Sequence, residues 1–460
     1  MLAAPVAAPR SGPYTALCSR LLFPLHERLK KHDSVAVRRR LEQSQWWSPE
    51  RLHEEQGARL RAFLQRIGQT VPYYRELFRE LGLDPAGVRG AQDLARLPFL
   101  DKALIRQHRE RLLADGHGPV TRYNTGGSSG EPLVFYIGLE RKSHDVGAKW
   151  RATRWWGVDI GDPELVVWGS PVELSTQDRV RQLRDALMRS HLLPAFDMSE
   201  ANLDHYVRTI ASTRPRMLFG YPSSLSLIAA HAARRGVRLD QLGIRVAFVT
   251  SERLYDEQRR QIEAGFGCPV ANGYGARDAG FIAHQCPQGG MHLSAEDIVV
   301  EIVDPRGQVL PPGESGEIVV THLGTGDFPF VRYRTGDIAA LSTARCACGR
   351  GLPMLERIDG RSTDFVVARD GTLMHGLALI YVVRDLPGIA RFKIVQHTRE
   401  HTEVLLVREQ GFQPQAEEQI RQGFRRRLGE AVEITVRLVD EIPAEKSGKY
   451  RYVQSHALAG

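Results

Sequence analysis

The spacing of apolar residues changes character twice along the chain, and each change marks a different layer of structure. The first stretch is helical. Trp46-Trp47-Ser48 opens a long amphipathic segment that ends near Val71-Pro72-Tyr73-Tyr74, and Leu97-Pro98-Phe99-Leu100 closes this helical front. Beyond it, Leu133-Val134-Phe135-Tyr136 reads as a strand. Short apolar runs then alternate with helical stretches. The runs are Leu165-Val166-Val167-Trp168, Met217-Leu218-Phe219-Gly220 and Val246-Ala247-Phe248-Val249. Such alternation predicts α/β layers with partly parallel sheets. From about Ile298 the pattern turns to strands and turns, with strands at Val299 to Val303, at Glu317 to Val320 and from Ile338 onward. A last segment begins near Gly360. It reads strand (Phe365-Val366-Val367), helix, strand (Phe392 to Val395), strand (Val404 to Val407), helix (Gln415 to Leu428) and strand (Val432 to Leu438). That is a compact α+β module of about 100 residues, enough for its own core. The expected fold class is therefore α/β. A large N-terminal domain over 1–360 holds layered α/β sheets and a strand-rich subdomain, and a small α+β C-terminal domain follows over 361–460.

Composition narrows the partners. At 460 residues the chain exceeds one ordinary domain. Its formal net charge of +8 suits polyanionic small molecules such as nucleotides, without deciding anything about fold. Arg425-Arg426-Arg427 lies on a predicted helix with no aromatic interleaving, so it reads as a solvated face, and nucleic acid is not an expected partner. No apolar run reaches membrane-spanning length. Met1 to Pro13 is rich in Ala and Pro but lacks the basic start and long apolar stretch of a signal peptide, so a cytoplasmic location is expected. Five unevenly spaced cysteines argue against a disulfide framework.

The candidate chemistry starts at Tyr123-Asn124-Thr125-Gly126-Gly127-Ser128-Ser129-Gly130-Glu131-Pro132. Three glycines and three hydroxyl residues there can bend backbone N–H groups and hydroxyls around a phosphate chain. It is not a Walker loop, since Glu131 follows Gly130 and no Gly-Lys-Ser/Thr is present. On composition alone a Gly/Ser-rich surface turn fits equally well. Four further motifs follow in order: Tyr274-Gly275-Ala276-Arg277-Asp278, Tyr333-Arg334-Thr335-Gly336-Asp337, Gly360-Arg361-Ser362-Thr363-Asp364, and Ile442-Pro443-Ala444-Glu445-Lys446-Ser447-Gly448-Lys449. Each alone could be an ordinary turn; five in this order are hard to obtain by chance.

Together these motifs resemble those of the adenylate-forming superfamily, which includes acyl-CoA synthetases, peptide-synthetase adenylation domains and luciferases. Within it the chain looks most like phenylacetate-CoA ligase and the related capsule-biosynthesis proteins, and Tyr221-Pro222-Ser223-Ser224 and Val71-Pro72-Tyr73-Tyr74 fit that subgroup. The likeness spans nearly everything from Trp46 to Val453. It implies that Thr125, Gly126, Gly127, Ser128, Ser129 and Gly130 hold the β- and γ-phosphates of ATP. Tyr274 and Gly275 would then line the adenine, and Asp337 would accept from the ribose hydroxyls. Arg361 would lie near the ribose and phosphates, and Lys449 would reach the carboxylate and the α-phosphate. A carboxylate attacking an anionic phosphorus is repelled by it, and a desolvated lysine and Mg²⁺ counter that repulsion. The resemblance also implies a small domain that rotates between the two half-reactions.

Three positions depart from the family pattern. Arg277 and Asp278 stand where Thr and Glu are usual, so Asp278, the magnesium candidate, is one methylene shorter and can reach the metal through water. Thr363 stands where an acidic hinge residue is usual. The cysteines suggest a second site. Cys286 and His292, with Cys346 and Cys348, form a three-thiolate, one-imidazole set suited to a closed structural zinc site, although a long separation divides its halves. Reduced, buried cysteines beside an unrelated histidine are the alternative. Some relatives of phenylacetate-CoA ligase carry such a zinc site. The expected activity is ATP-dependent activation of a carboxylic acid, aromatic or small by family, to an acyl-adenylate, followed by transfer to coenzyme A. Alternatives are an adenylyltransferase or amide ligase with another acceptor, and a non-catalytic nucleotide-binding protein. A homodimer is carried as an open expectation for assembly.

Overall fold

The computed structural model describes residues 12–124, 133–168, 179–195, 198–361, 365–371, 373–384, 386–443 and 451–457. These fall into two compact units. One comprises 12–335 with 339–358, the other 336–338, 359–443 and 451–457.

The helical front of the large unit forms as its pattern dictates. Ser48 caps the helix Pro49–Thr70 by accepting from Arg51 N at 3.3 Å, and Pro49 occupies the first turn, where its missing N–H costs nothing. Leu52, Leu60, Phe63, Leu64 and Ile67 form its buried stripe. The helix ends at Val71 because Pro72 disfavours helical backbone in the residue before it.

Strands β1 (Thr121–Asn124) and β2 (Val134–Ile137) pair as an antiparallel hairpin that brackets the Gly/Ser loop. The apolar runs that follow become β3 (Glu164–Trp168), β4 (Ser190–Pro194), β5 (Met217–Gly220), β6 (Val246–Thr250) and β7 (Val270–Ala276). All five run parallel, which is why β5 and β6 are buried at every position. Beyond β7 the direction reverses. β8 (Gly280–Gln285) and β9 (Met291–Leu293) are antiparallel, as are β10 (Ile298–Val303) and β11 (Ser315–His322). β12 (Phe330–Leu341) and β13 (Met354–Arg361) complete a single 11-stranded sheet of order β10-β11-β12-β13-β9-β8-β7-β6-β5-β3-β4. The strand-rich region is thus the antiparallel half of the same sheet that carries the α/β layers.

The small unit has its own sheet. β14 (Phe365–Val367) and β15 (Leu373–His375) form a hairpin. β16 (Ile389–Gln396), β17 (His401–Arg408), β18 (Glu433–Leu438) and β19 (Val453–Ser455) form a four-stranded sheet of order β18-β17-β16-β19. The helix Gln415–Leu428 turns Ile420, Phe424 and Leu428 inward, and Arg425, Arg426 and Arg427 fall in its last turn, where cations complement the helix dipole.

Candidate active site

The turn between β7 and β8 is where two of the sequence motifs meet. β7 ends in Tyr274-Gly275-Ala276, and the pairing with β8 shifts register between Tyr274 and Gly275. A Cβ on Gly275 would lie 2.2 Å from the Gly280 carbonyl oxygen, so the tight turn requires glycine there. Tyr274 is half-buried and Arg277 is exposed. Arg277 donates to the carbonyl of Asn124 at 3.3 Å, placing its guanidinium at the last residue of β1, directly before the Gly/Ser loop.

Asp278 turns inward and is 7% exposed. Its Oδ2 accepts from the Tyr333 hydroxyl at 2.6 Å, and its Oδ1 accepts from Ala279 N at 3.0 Å. Tyr333 is fully buried and opens the Tyr333–Asp337 motif. A side-chain bond across 55 residues therefore ties the two motifs together. Tyr333 is itself positioned by a clasp on β12. Leu100 N donates to Arg332 O at 3.0 Å and Arg334 N to Leu100 O at 2.9 Å, so Leu97-Pro98-Phe99-Leu100 docks beside the strand. Arg332, at φ +48, forms a buried two-point pair with Glu301 at 3.0 and 3.1 Å, and its guanidinium lies 4.2 Å from the Phe99 ring centre. Further along β12, Gly336 adopts φ +75 and Asp337 is half-buried.

Arg141 was not singled out in the sequence. It comes from the helix Leu139–Trp155 and is 1% exposed. Its two terminal nitrogens donate to the carbonyls of Asp278 (3.1 Å) and Arg277 (3.3 Å), clamping the β7–β8 turn from below. Asp145, one helical turn on, holds the Arg141 Nε at 3.0 and 3.1 Å. Burial pushes the Asp145 carboxyl up, but Arg141 and His144 outweigh it and hold it below the ordinary value. The sequence carried only an Arg-x-x-x-Asp spacing here, which is ordinary on a helix surface.

Three expected groups lie wholly or partly outside the described residues: Thr125–Gly130, Thr363 and Lys449. Arg361 ends β13, and only its backbone is described.

The sulfur cluster is assembled by the sheet. Cys286 directly follows β8, His292 lies in β9, and Cys346 and Cys348 precede β13, which pairs with β9 through Met354↔His292. The four donor atoms lie within 4.8 Å of one another. Cys286 Sγ is 3.6 Å from Cys346 Sγ, and Cys348 Sγ is 3.2 Å from His292 Nε2. All five cysteines are free thiols. A hydrogen bond from Cys286, and then one from His292, hold the Cys348 sulfur well below the usual thiol range, while the Cys286 thiol is pushed up. His292 Nδ1 faces the Leu352 carbonyl at 3.4 Å, which leaves Nε2 for the cluster. A Cβ on Gly290 would come 2.6 Å from Cys346 Sγ, so a larger residue there would spoil the packing. Three sulfurs and one imidazole converging in this way form the donor set of a closed tetrahedral metal site.

Two family descriptions match the chain: "AMP-binding enzyme" over residues 187–326 and "CapK C-terminal domain" over 366–456. The chain is a member of the adenylate-forming superfamily. It is an enzyme of the AMP-forming acid–thiol ligase type. Among its relatives, the phenylacetate-coenzyme A ligase of Thermus thermophilus is 27% identical over 392 residues, covering 83% of this chain and 84% of that one. Protein CapK of Staphylococcus aureus is 23% identical over 412 residues, covering 87% and 88%. A crystal structure of 2-hydroxyisobutyryl-CoA ligase in the postadenylation state shares the fold at TM-score 0.69 and 20% identity, covering 88% of this chain and 89% of that one. The Tyr333–Asp278 bond is the physical link between the β7–β8 turn and the Tyr333 motif.

Proposed function

We propose that this enzyme activates an aromatic carboxylic acid with ATP, forming an acyl-adenylate and pyrophosphate, and passes the acyl group to coenzyme A. The observation that carries this reading is the Tyr333–Asp278 bond, which ties two of the motifs together, and the bond from Arg277 to the Asn124 carbonyl at the end of β1 supports it. Aromatic acids are favoured by the likeness to phenylacetate ligases. Tyr274 packs on adenine, Asp337 accepts from the ribose, Arg277 and Arg361 face phosphate, and Lys449 neutralises the α-phosphate as the carboxylate attacks. Mg²⁺ supplies charge neutralisation on the phosphates. Both Asp278 oxygens already accept one bond and retain lone pairs, so that carboxylate suits a water-mediated metal contact. Cys286, His292, Cys346 and Cys348 hold a structural zinc, since four protein donors leave no open position for substrate.

Carboxylate-dependent exchange of pyrophosphate into ATP, run over aromatic and aliphatic acids, tests the first half of the reading. Exchange with an aromatic acid is expected, lost by a few orders of magnitude in Lys449→Ala. No exchange with any acid, while ATP still binds, would overturn it. AMP release that coenzyme A fails to accelerate would overturn the second half.

A further inference from the structure

Among the described residues, eleven large apolar side chains are more than about a third exposed, and seven of them lie on two helices that touch each other. The segment Pro13–Leu29 is a continuous helix: an α-turn at Pro13–Leu17, a π-turn at Cys18–Leu22, then an α-helix over Phe23–Leu29. Leu17, Leu21, Leu25 and Leu29 recur every fourth residue along it and are 43, 57, 54 and 77% exposed. In a regular α-helix such a row would wind around the axis. The π-turn holds more residues per turn and takes much of that winding back, so the leucines form one ridge. Tyr14 lies at its start. Leu183 and Leu187 come from the neighbouring helix Arg179–Leu187 and are 63 and 44% exposed.

The ridge is held rigidly from behind. The Tyr14 hydroxyl donates to Leu187 O at 2.9 Å, Thr15 Oγ1 to Asp162 at 2.9 Å, and Cys18 is packed so closely on Gly161 that a Cβ there would meet it at 2.3 Å. Glu27, the acid within the helix, is buried against His26, His32 and Ser34. What faces solvent around the leucines is cationic: Arg20, Arg28, Lys30 and Lys31 are exposed, and Arg189 caps the Tyr14 ring at 5.1 Å. Asp185 is paired with Arg184 at 2.8 Å, and exposed Asp33 comes only after the ridge. A second copy of the chain would bring this same cationic rim against itself. An anionic surface with an apolar interior answers both the rim and the ridge. No helix among the described residues is long and apolar enough to cross a membrane, so contact would be along the surface.

We propose that the Leu17–Leu29 ridge seats this enzyme on the face of a bilayer carrying anionic lipid headgroups. Flotation of the full chain with phosphatidylcholine vesicles, with and without phosphatidylglycerol, tests it. Binding is expected only to the vesicles containing phosphatidylglycerol, weakening as salt is raised. Leu21→Ser/Leu25→Ser should lower the partition coefficient by about tenfold or more, from the apolar area withdrawn. Its thermal midpoint should stay that of the parent chain, because both side chains face solvent. Lys30→Glu/Lys31→Glu should abolish the preference for the anionic lipid. Equal flotation with both vesicle types, or unchanged binding in both variants, would overturn the proposal. So would light scattering that finds a dimer in the parent chain and a monomer in Leu21→Ser/Leu25→Ser, which would assign the ridge to a second copy.

Discussion

The Tyr333 hydroxyl donates to Oδ2 of Asp278 at 2.6 Å, a bond between two buried side chains. Tyr333→Phe keeps the ring in the core and removes only that donor, so a buried carboxylate oxygen loses its partner. A loss of about 1–3 kcal/mol in unfolding free energy is expected, from the desolvation that is no longer offset. The KM for ATP should rise with it, because the Arg277–Asp278 turn loses its tie to the second motif. Equilibrium unfolding in urea and pyrophosphate exchange at varied ATP check the two halves. Full stability in the variant would mean that Asp278 finds another donor. Neither this bond nor the burial of Arg141 was legible in the sequence. Tyr and Arg are compatible with surface, core or site, and only the packing of the helix Leu139–Trp155 under the β7–β8 turn decides.

At the level of elements, that helix acts on the turn through Arg141. Removing the charge would leave the half-buried Asp145 without its cation, so Arg141→Lys is the informative change: it keeps the cation and loses the fork that reaches two carbonyls. A rise of about tenfold in KM for ATP is expected, with KM for the acid and the thermal midpoint little changed. An equal rise in both KM values would indicate general loosening. The pairing of β9 with β13 makes its own prediction. Protein purified without added zinc should hold one zinc per chain, and Cys346→Ser should lose both the metal and thermal stability. Metal analysis near zero in the parent chain, or full metal content in Cys346→Ser, would remove the zinc. The residue types of this cluster were legible, whereas its closure was not. Cys286 and Cys346 stand 60 residues apart, and the sheet, not their spacing, brings them to 3.6 Å. The long apolar runs translated directly into β3, β5, β6, β10 and β11, and the helix Gln415–Leu428 spans the residues expected of it. β9 and β19, with three residues each, are too short to carry a period and exist through their distant partners β13 and β16.

For the whole molecule, the buried charges beneath the site set an acid limit. His322 is fully buried, and burial first, then Arg141 and His144, hold its pKa well below the ordinary value. The unfolded chain takes up this proton near pH 6.5 and the native chain does not. The stability it contributes is therefore fully present above about pH 6.5 and is lost as pH falls below it, with a slope approaching about 1.4 kcal/mol per pH unit. Burial pushes the Asp297 carboxyl up, but His144, Arg40 and Arg59 outweigh it, so its contribution persists above the ordinary carboxylate range and fades as pH falls through that range. Urea midpoints measured between about pH 7 and pH 5 should fall steadily, and less steeply in His322→Gln. Parallel slopes in the two proteins would show that other groups carry the acid sensitivity.

The reversal of strand direction after β7 has a consequence for how such enzymes diversify. β5, β6 and β7 are parallel, so the segments leaving β5 and β6 emerge on the same edge as the Arg277–Ala279 turn. Those two segments are tied to each other, with Ser223 N donating to Glu252 at 3.2 Å, while the turn is fastened separately by Arg141 and Tyr333. Residues along the first pair can be exchanged over generations without disturbing the second set. If the turn serves the nucleotide as proposed, descendants of one ancestor would keep its fastening while the Ser223 and Glu252 segments drift, so that ancestry predicts the adenylating step better than whatever those segments touch.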